Sequence, residues 1–344
     1  MKTCFFPEGM NPYKANLHCH TTFSDGKLTP DEIKKAYTDK GYSVVAFSDH
    51  EVCFSHNELA DGNFLPITSY EAAFNEDRGK SWIGAKCYHI NLYAKDKDNA
   101  AVIMPDIDAI KYQNGNAGRD ENYMPKYYGE PCKHIYSKEL INRFVAEAKR
   151  QGFLVSLNHP AWSLQNFCDY EGLSGFCMFE LSNYGCVAAG YIEDCAHIYD
   201  RMLRSGVTGM YPTCTDDNHN SEPLSSPECD SFGGFTVVYA DKLEYSSVMR
   251  ALENGDFYAS TGPTFESAYF EDGKAYIKCS PVRSIRLLNE GRDAPVAIAK
   301  DGELITEAVF DVEPSFVGRY IRVDIRDENG GFAATKPLFT KDLY

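Results

Sequence analysis

The sequence has no long apolar run, no paired-cysteine motif and no surplus of basic residues. Nothing in it approaches the roughly twenty apolar residues that span a bilayer, so no membrane segment is expected. The opening MKTCFFPEGMNPYKANLHCH is broken by Pro7 and Pro12 and has no apolar core of signal-peptide length. The 12 cysteines are scattered singly, without a Cys-x-x-Cys pair. With no secretion signal, that pattern favours buried thiols in a reducing cytoplasm over a disulfide framework or a zinc-thiolate site. Acidic residues outnumber basic ones 50 to 34, leaving a formal charge of −16. Such a balance repels phosphate backbones at long range, and no basic, aromatic-interleaved tract offsets it. A nucleic-acid grip is therefore disfavoured. A small anionic substrate is not, because bound cations reverse the sign locally.

What is present is a recurring phrase: a helix, a glycine stop, a short apolar strand and a polar residue at the strand's end. In TPDEIKKAYTDKGYSVVAFSDH, Thr29 and Glu32 form a capping box around Pro30, Gly41 ends the helix, and a strand over 43–47 delivers Asp49 and His50. In SKELINRFVAEAKRQGFLVSLNHP, Ser137 caps, Gly152 stops, and 153–157 runs into Asn158 and His159. A third copy stops at Gly206 and ends in Asp217 and His219, and a fourth stops at Gly255. Further strands are expected at 15–19, 65–69, 88–93, 176–181 and 235–240. Strands alternating with helices of ten to fifteen residues argue for parallel βα units, and seven or eight strands suit a barrel better than a short open sheet. In such barrels functional groups collect at the C-terminal strand ends. Residues 95–135 lose the period and read as an insertion near the site, a candidate lid. After Pro263 the texture turns to short β runs, predicting a boundary at 262/263 and a small all-β, sandwich-like domain over 263–344.

Six of the nine histidines, His18, His20, His50, His89, His159 and His219, fall at or beside predicted strand ends. His18 and His20 are two apart on a strand and so share a face, which makes half of a metal site. Asp25 follows in a loop able to fold back over that face. Asp217 and His219 repeat the spacing, and Glu71 adds a carboxylate able to bridge two cations. Each alone is weak evidence, since a lone strand-end histidine is more often structural. Jointly the nine candidates suit two or three ions, at about four to six ligands each. Asp49 and Asp216 point the other way along their strands, which predicts supporting roles. His56, His134 and His197 lack the pattern.

The ordered set NLHCH, Asp25, SDH, SYE, YHI, NHP and DDNH resembles the polymerase-and-histidinol-phosphatase (PHP) family. The likeness runs over residues 14–262, and the closing FTVVYA…ALENGDFYASTGP is similar to a subgroup with a C-terminal β domain. The resemblance implies an α/β fold, a distorted (βα)7 TIM-like barrel over 1–262, and a centre of two or three divalent ions, usually zinc, manganese or iron. It implies that His18, His20, Glu71 and Asp217 hold one ion, Glu71, His89 and His159 a second, and His50, His219 and Asp25 a third. Some members carry a histidine at the position of Asp25. A carboxylate there is harder and shifts preference towards manganese, magnesium or iron. The implied activity is hydrolysis of a small phosphomonoester or phosphodiester, such as a nucleotide or sugar phosphate, by a metal-bridging hydroxide. Glu71, Asp217 and His219 would be central to it. Glu180 and Asn183 at a strand end, and Arg119 and Lys133 in the insertion, are candidates for substrate contact. The competing readings are a nuclease, a metallohydrolase of amides or lactones, and a non-catalytic metal-binding module.

Overall fold

The computed structural model describes residues 2–77, 82–191, 194–313 and 318–343. Local signals set the elements. The helix Pro30–Asp39 begins at a full capping box, Thr29 Oγ1 accepting from Glu32 N at 3.3 Å and the Glu32 carboxylate accepting from Thr29 N at 2.8 Å. It buries Ile33 and Tyr37 against the sheet and ends before Gly41, whose φ of +76° only glycine adopts cheaply. Ser137 caps the helix Lys138–Arg150, its side chain accepting from Leu140 N at 3.3 Å.

Residues 11–260 contribute nine strands to one curled sheet. They are β1 (Asn11–Cys19), β2 (Val44–Phe47), β3 (Leu65–Asn75), β4 (Cys87–Ala94), β5 (Phe153–Leu157), β6 (Met178–Asn183), β7 (Tyr211–Thr215), β8 (Phe235–Ala240) and β9 (Phe257–Ser260). They lie in the order β7-β6-β5-β4-β3-β2-β1-β8-β9. The expected parallel βα pairing forms only in part. The pairs β1–β2, β2–β3, β5–β6 and β6–β7 are parallel, but β3–β4, β4–β5, β8–β1 and β8–β9 are antiparallel. The reason lies in the connections: no crossover helix separates β3 from β4 among the described residues, and a short return forces an antiparallel neighbour. Nor does a closed hydrogen-bonded barrel appear among the described residues. β7 is the terminal strand, and the curl returns to β1 through a single backbone bridge among the described residues, Asp217 N to His18 O at 2.9 Å and His20 N to Asn218 O at 3.1 Å.

The expected boundary at 262/263 cuts through continuous structure. β9 pairs with Phe332–Thr335, and the ladder continues through Tyr320–Arg326 and Ser284–Asn289 to Val296–Ile298. A second sheet combines Phe265–Glu271, Lys274–Val282 and Ile305–Asp311 with the N-terminal pair Thr3–Cys4. The chain's first residues therefore pack on its β-rich C-terminal part. Buried Arg322 fastens that part to the helix Ala196–Arg204 by a bidentate pair with Asp200, at 2.8 and 2.9 Å. The stretch read as an irregular insertion holds a helix, Ile107–Asn116, capped by Asp106, and a two-strand ladder of Val102–Ile103 with Tyr127–Tyr128. No described helix is long and apolar enough to cross a membrane.

Candidate metal centre

A bulge in β1 aims the first two histidines. Asn16 Nδ2 donates to Tyr37 Oη at 3.1 Å, and Cys19 packs in the same apolar cluster as Ile33 and Tyr37. Both therefore face the helix Pro30–Asp39, although residues three apart on a regular strand face opposite ways. The pairing with β2 explains it: Asn16 matches Val45 and Cys19 matches Phe47, so β1 carries one extra residue. The bulge keeps Ala15 and Leu17 in the interior and sets His18 and His20 on that same inner side. Gly26 then folds the Asp25 loop back over His20. A Cβ there would stand 2.6 Å from the His20 carbonyl and Thr21 N, closer than any side chain tolerates.

All nine candidates converge. His18 Nε2 and His20 Nε2 are 3.1 Å apart. Asp217 Oδ1 lies 2.9 Å from His20 Nε2 and 3.1 Å from His18 Nε2. Glu71 Oε2 lies 3.0 Å from His50 Nδ1, and its Oε1 lies 3.3 Å from His89 Nδ1 and 3.4 Å from His159 Nε2. Asp25 stands 3.6 Å from His219 Nε2 and 3.8 Å from both His50 and His20. The donor atoms fall into three groups, each within 4.8 Å: His18, His20 and Asp217; His50, Glu71 and His89; and His20, Asp25, His50 and His219.

Several of these atoms meet without being satisfied by one another. His20 Nδ1, Glu71 Oε2 and Asp217 Oδ1 are buried and lack hydrogen-bond partners despite the short distances. Unpaired buried polar atoms are costly, and a cation at their common focus would satisfy them. The histidines are also set in the right tautomer. His18 Nδ1 donates to Glu180 Oε1 at 2.7 Å, and His219 Nδ1 donates to the Asp217 carbonyl at 3.0 Å, leaving each Nε2 lone pair facing inward. Imidazole and carboxylate donors in this arrangement fit a divalent ion.

The electrostatics agree. Burial would raise Glu71, but His89, His18 and His50 hold it well below the usual carboxylate range. Asp217 is likewise depressed against its burial by His18 and His20. Burial also opposes charge on His18 and His89, yet the facing carboxylates raise both well above the ordinary imidazole value. His20 goes the other way, pushed down to about 3 by burial and by His219 and His50. A neutral imidazole among charged neighbours is a ready ligand. Two of the nine, His159 and Asp217, sit at φ of +22° and +54°, strain that a functional constraint explains better than packing does.

Beneath the nine lies a second layer. The residues expected at the rim are part of it: Glu180 and Asn183 are fully buried. Glu180 accepts from His18 Nδ1, Thr215 Oγ1 at 2.8 Å, His159 N at 2.9 Å and Asn183 Nδ2 at 3.0 Å. Asn183 Nδ2 also reaches Asp217 Oδ2 at 3.1 Å. Asn158, given no role from sequence, donates to Glu71 Oε1 at 2.7 Å. Asp49 holds Thr21 and Ser24 at 2.8 Å, fixing the Asp25 loop. Asp216 accepts from Phe232 N, Gly233 N and Gly234 N and, with Tyr37 and Asn16, pins the turn carrying Asp217. The insertion's cations are engaged elsewhere. Arg119 Nη1 donates to Phe23 O at 2.6 Å and its guanidinium stands over Phe54, while Lys133 pairs with Asp106 and Asp108. The insertion nonetheless borders the centre: Asn116 and Ala117 share a cleft of about 490 Å³ with Ser24, Asp25 and Lys27.

Residues 16–159 match the family model described as PHP domain. Seven of the nine candidate ligands, His18 to His159, lie inside the matched stretch, and Asp217 and His219 lie beyond it. Among solved structures, the chain is similar to a two-domain protein containing a predicted PHP-like metal-dependent phosphoesterase from Bacteroides vulgatus, at 15% identity over 96% of each chain and a TM-score of 0.45. It is also similar to an amidohydrolase from Chromobacterium violaceum with bound sulfate and no metal, at 14% identity over 62% of this chain and 93% of that one, with a TM-score of 0.39. Both likenesses are too distant to bear on the chemistry. No curated protein matches the chain.

Proposed function

We propose that this protein is a metal-dependent phosphoesterase acting on small phosphorylated molecules. The observation that carries the reading is the convergence of imidazole and carboxylate donors with three orphaned buried atoms at their focus, in a chain whose residues 16–159 match the PHP domain model. His18, His20 and Asp217 would hold one divalent ion, and Glu71 with His50, His89 and His159 a second. Asp25 and His219 would complete a third site with His20 and His50. Nitrogen and oxygen donors without thiolate suit zinc, manganese or iron, with magnesium accommodated at the Asp25 side. Ions held there supply Lewis acidity towards phosphoryl oxygens and lower the pKa of water.

The protein's own groups prepare that chemistry. Glu180 and the Asp217 carbonyl hold protons on the outer nitrogens of His18 and His219, so the inner nitrogens stay free. Glu71 touches imidazoles from three directions, which suits a bridging position between ions. His219 and Asp25 are the most open members, with side chains 31% and 35% exposed, and mark the side from which a phosphate approaches. Asn158 and Asn183 keep the Glu71 and Asp217 carboxylates in place while the substrate binds. The net charge of −16 favours a compact substrate over a nucleic acid. The singly scattered cysteines fit a reducing compartment, and we assign the reaction to the cytoplasm. The test is phosphate release from a panel of monoesters and diesters by metal-reconstituted protein; metal-dependent turnover is expected, and none from any ester would overturn the proposal.

A further inference from the structure

Beside the His89 and His159 edge of the centre stands a ring to which the proposed chemistry gives no task. Trp162 meets the His159 ring edge-on, with centroids 5.0 Å apart at 85°, and lies 5.5 Å from the His89 ring at 60°. Those two imidazoles are nearly closed to solvent, whereas Trp162 is half-buried. Next along the loop come Leu164 and Phe167, 41% and 37% exposed. The segment directly after the candidate ligand His159 is thus an apolar lip, with Trp162 against two imidazoles of the cluster and Leu164 and Phe167 open to solvent.

This lip is built rather than loose. Ser163 N bonds to His159 O, Leu164 N to Ala161 O and Gln165 N to Pro160 O, each at 3.0 Å. Gln165 Nε2 donates to Cys87 O at 2.9 Å and Cys87 N to Ser163 O at 3.3 Å, tying the loop to β4. Ser163 Oγ holds His159 Nδ1 at 3.1 Å. Leu164 sits at φ +57°, a conformation that a bulky residue adopts only when its surroundings impose it. Strain held in a rigid loop directly after a candidate ligand is the mark of a placed surface. Tryptophan offers the largest flat apolar face among side chains and prefers planar partners.

We infer that Trp162 is a specificity-determining residue that stacks a planar, unsaturated group of the substrate, an aryl ring or a base, while its phosphate lies at the metal centre. This rests on the phosphoesterase reading and names the substrate class within it. Base–aromatic stacking lost on truncation corresponds to about 5- to 150-fold in affinity.

The test uses phenylphosphonate and ethylphosphonate, which share an anionic head and are not hydrolysed, with metal-loaded protein carrying Trp82→Phe so that Trp162 is the remaining tryptophan fluorophore. Phenylphosphonate is expected to quench that emission saturably and to bind at least about fivefold more tightly than ethylphosphonate. By calorimetry on metal-loaded protein, Trp162→Phe should keep the preference and Trp162→Leu should abolish it at unchanged metal content. Equal affinity for the two phosphonates, or a preference that survives Trp162→Leu, would overturn the inference. Failure of both to bind metal-loaded protein would overturn it together with the phosphoesterase reading. Selective binding without turnover of any aryl or benzyl phosphomonoester or phosphodiester, or of any other ester tried, would overturn that reading and leave the stacking site standing.

Discussion

Replacing Glu180 with glutamine should weaken metal binding without touching a single ligand. The carboxylate is fully buried and takes four donors on two oxygens: His18 Nδ1 and Thr215 Oγ1 on one, His159 N and Asn183 Nδ2 on the other. An amide of the same shape has one oxygen, so either orientation turns an N–H towards groups that must themselves donate. If the amide nitrogen faces His18 Nδ1, the imidazole proton moves to Nε2 and the inward lone pair is lost. If it faces His159 N, a buried backbone donor is stranded, at about 1–3 kcal/mol. Loss of such an outer partner typically lowers metal affinity about 10–100-fold, or about 1.4–2.8 kcal/mol. Competition with a chelator, read by metal content, measures this directly, and turnover at saturating metal should largely recover. An affinity unchanged within about twofold would refute the view that Glu180 sets the His18 tautomer.

Gly26→Ala should push the Asp25 loop off His20 and release the weakest-held ion, visible as lower metal stoichiometry in a protein that still folds. Arg322→Met leaves Asp200 facing a buried gap and should cost about 3–5 kcal/mol by denaturant unfolding, most of it recovered by adding Asp200→Leu. The metal-free protein should lose stability on the alkaline side. His18, His50, His89 and His159 have raised folded values, so their contribution is full below the ordinary 6.5 and is lost as pH rises through those values. His20, pushed down to about 3, and His56, lowered by burial, oppose them. Thermal scans should therefore show a larger stabilisation by added metal at pH about 9 than at about 6, and the reverse order would contradict the assigned shifts.

The candidate ligands were legible because their chemistry is written in short spacing: His18-x-His20 and Asp217-x-His219 put paired donors at strand ends. Their support was not. Glu180 reads from sequence as one more polar strand-end residue, and only the extra residue in β6 opposite Thr213 and Cys214 shows the pairing irregularity that accompanies its inward turn beneath His18. Asn16 lies 200 residues from Asp216 in sequence and Tyr37 lies 181 from Asn218, so the network that pins Asp217 has no local signal. Gly26 did carry one: a glycine directly after a candidate ligand marks close backbone approach. The βα phrasing gave the helices and most strands, but strand direction depends on what joins them. β3 and β4 look like any other apolar runs until the missing crossover is seen. The break in texture at Pro263 is real in composition, yet β9 pairs across it, because a sheet edge accepts any strand in register regardless of origin.

The central claim is that the converging donors hold ions which make this protein a phosphoesterase, and phosphate release by metal-reconstituted protein beside Asp217→Asn tests it most directly. Diester reactions would include a monoesterase so that product phosphate is freed. The account predicts turnover that depends on added metal and falls to background in the variant, with its fold intact by circular dichroism. Full activity in Asp217→Asn, or no turnover of any ester by well-folded, metal-loaded protein, would contradict it.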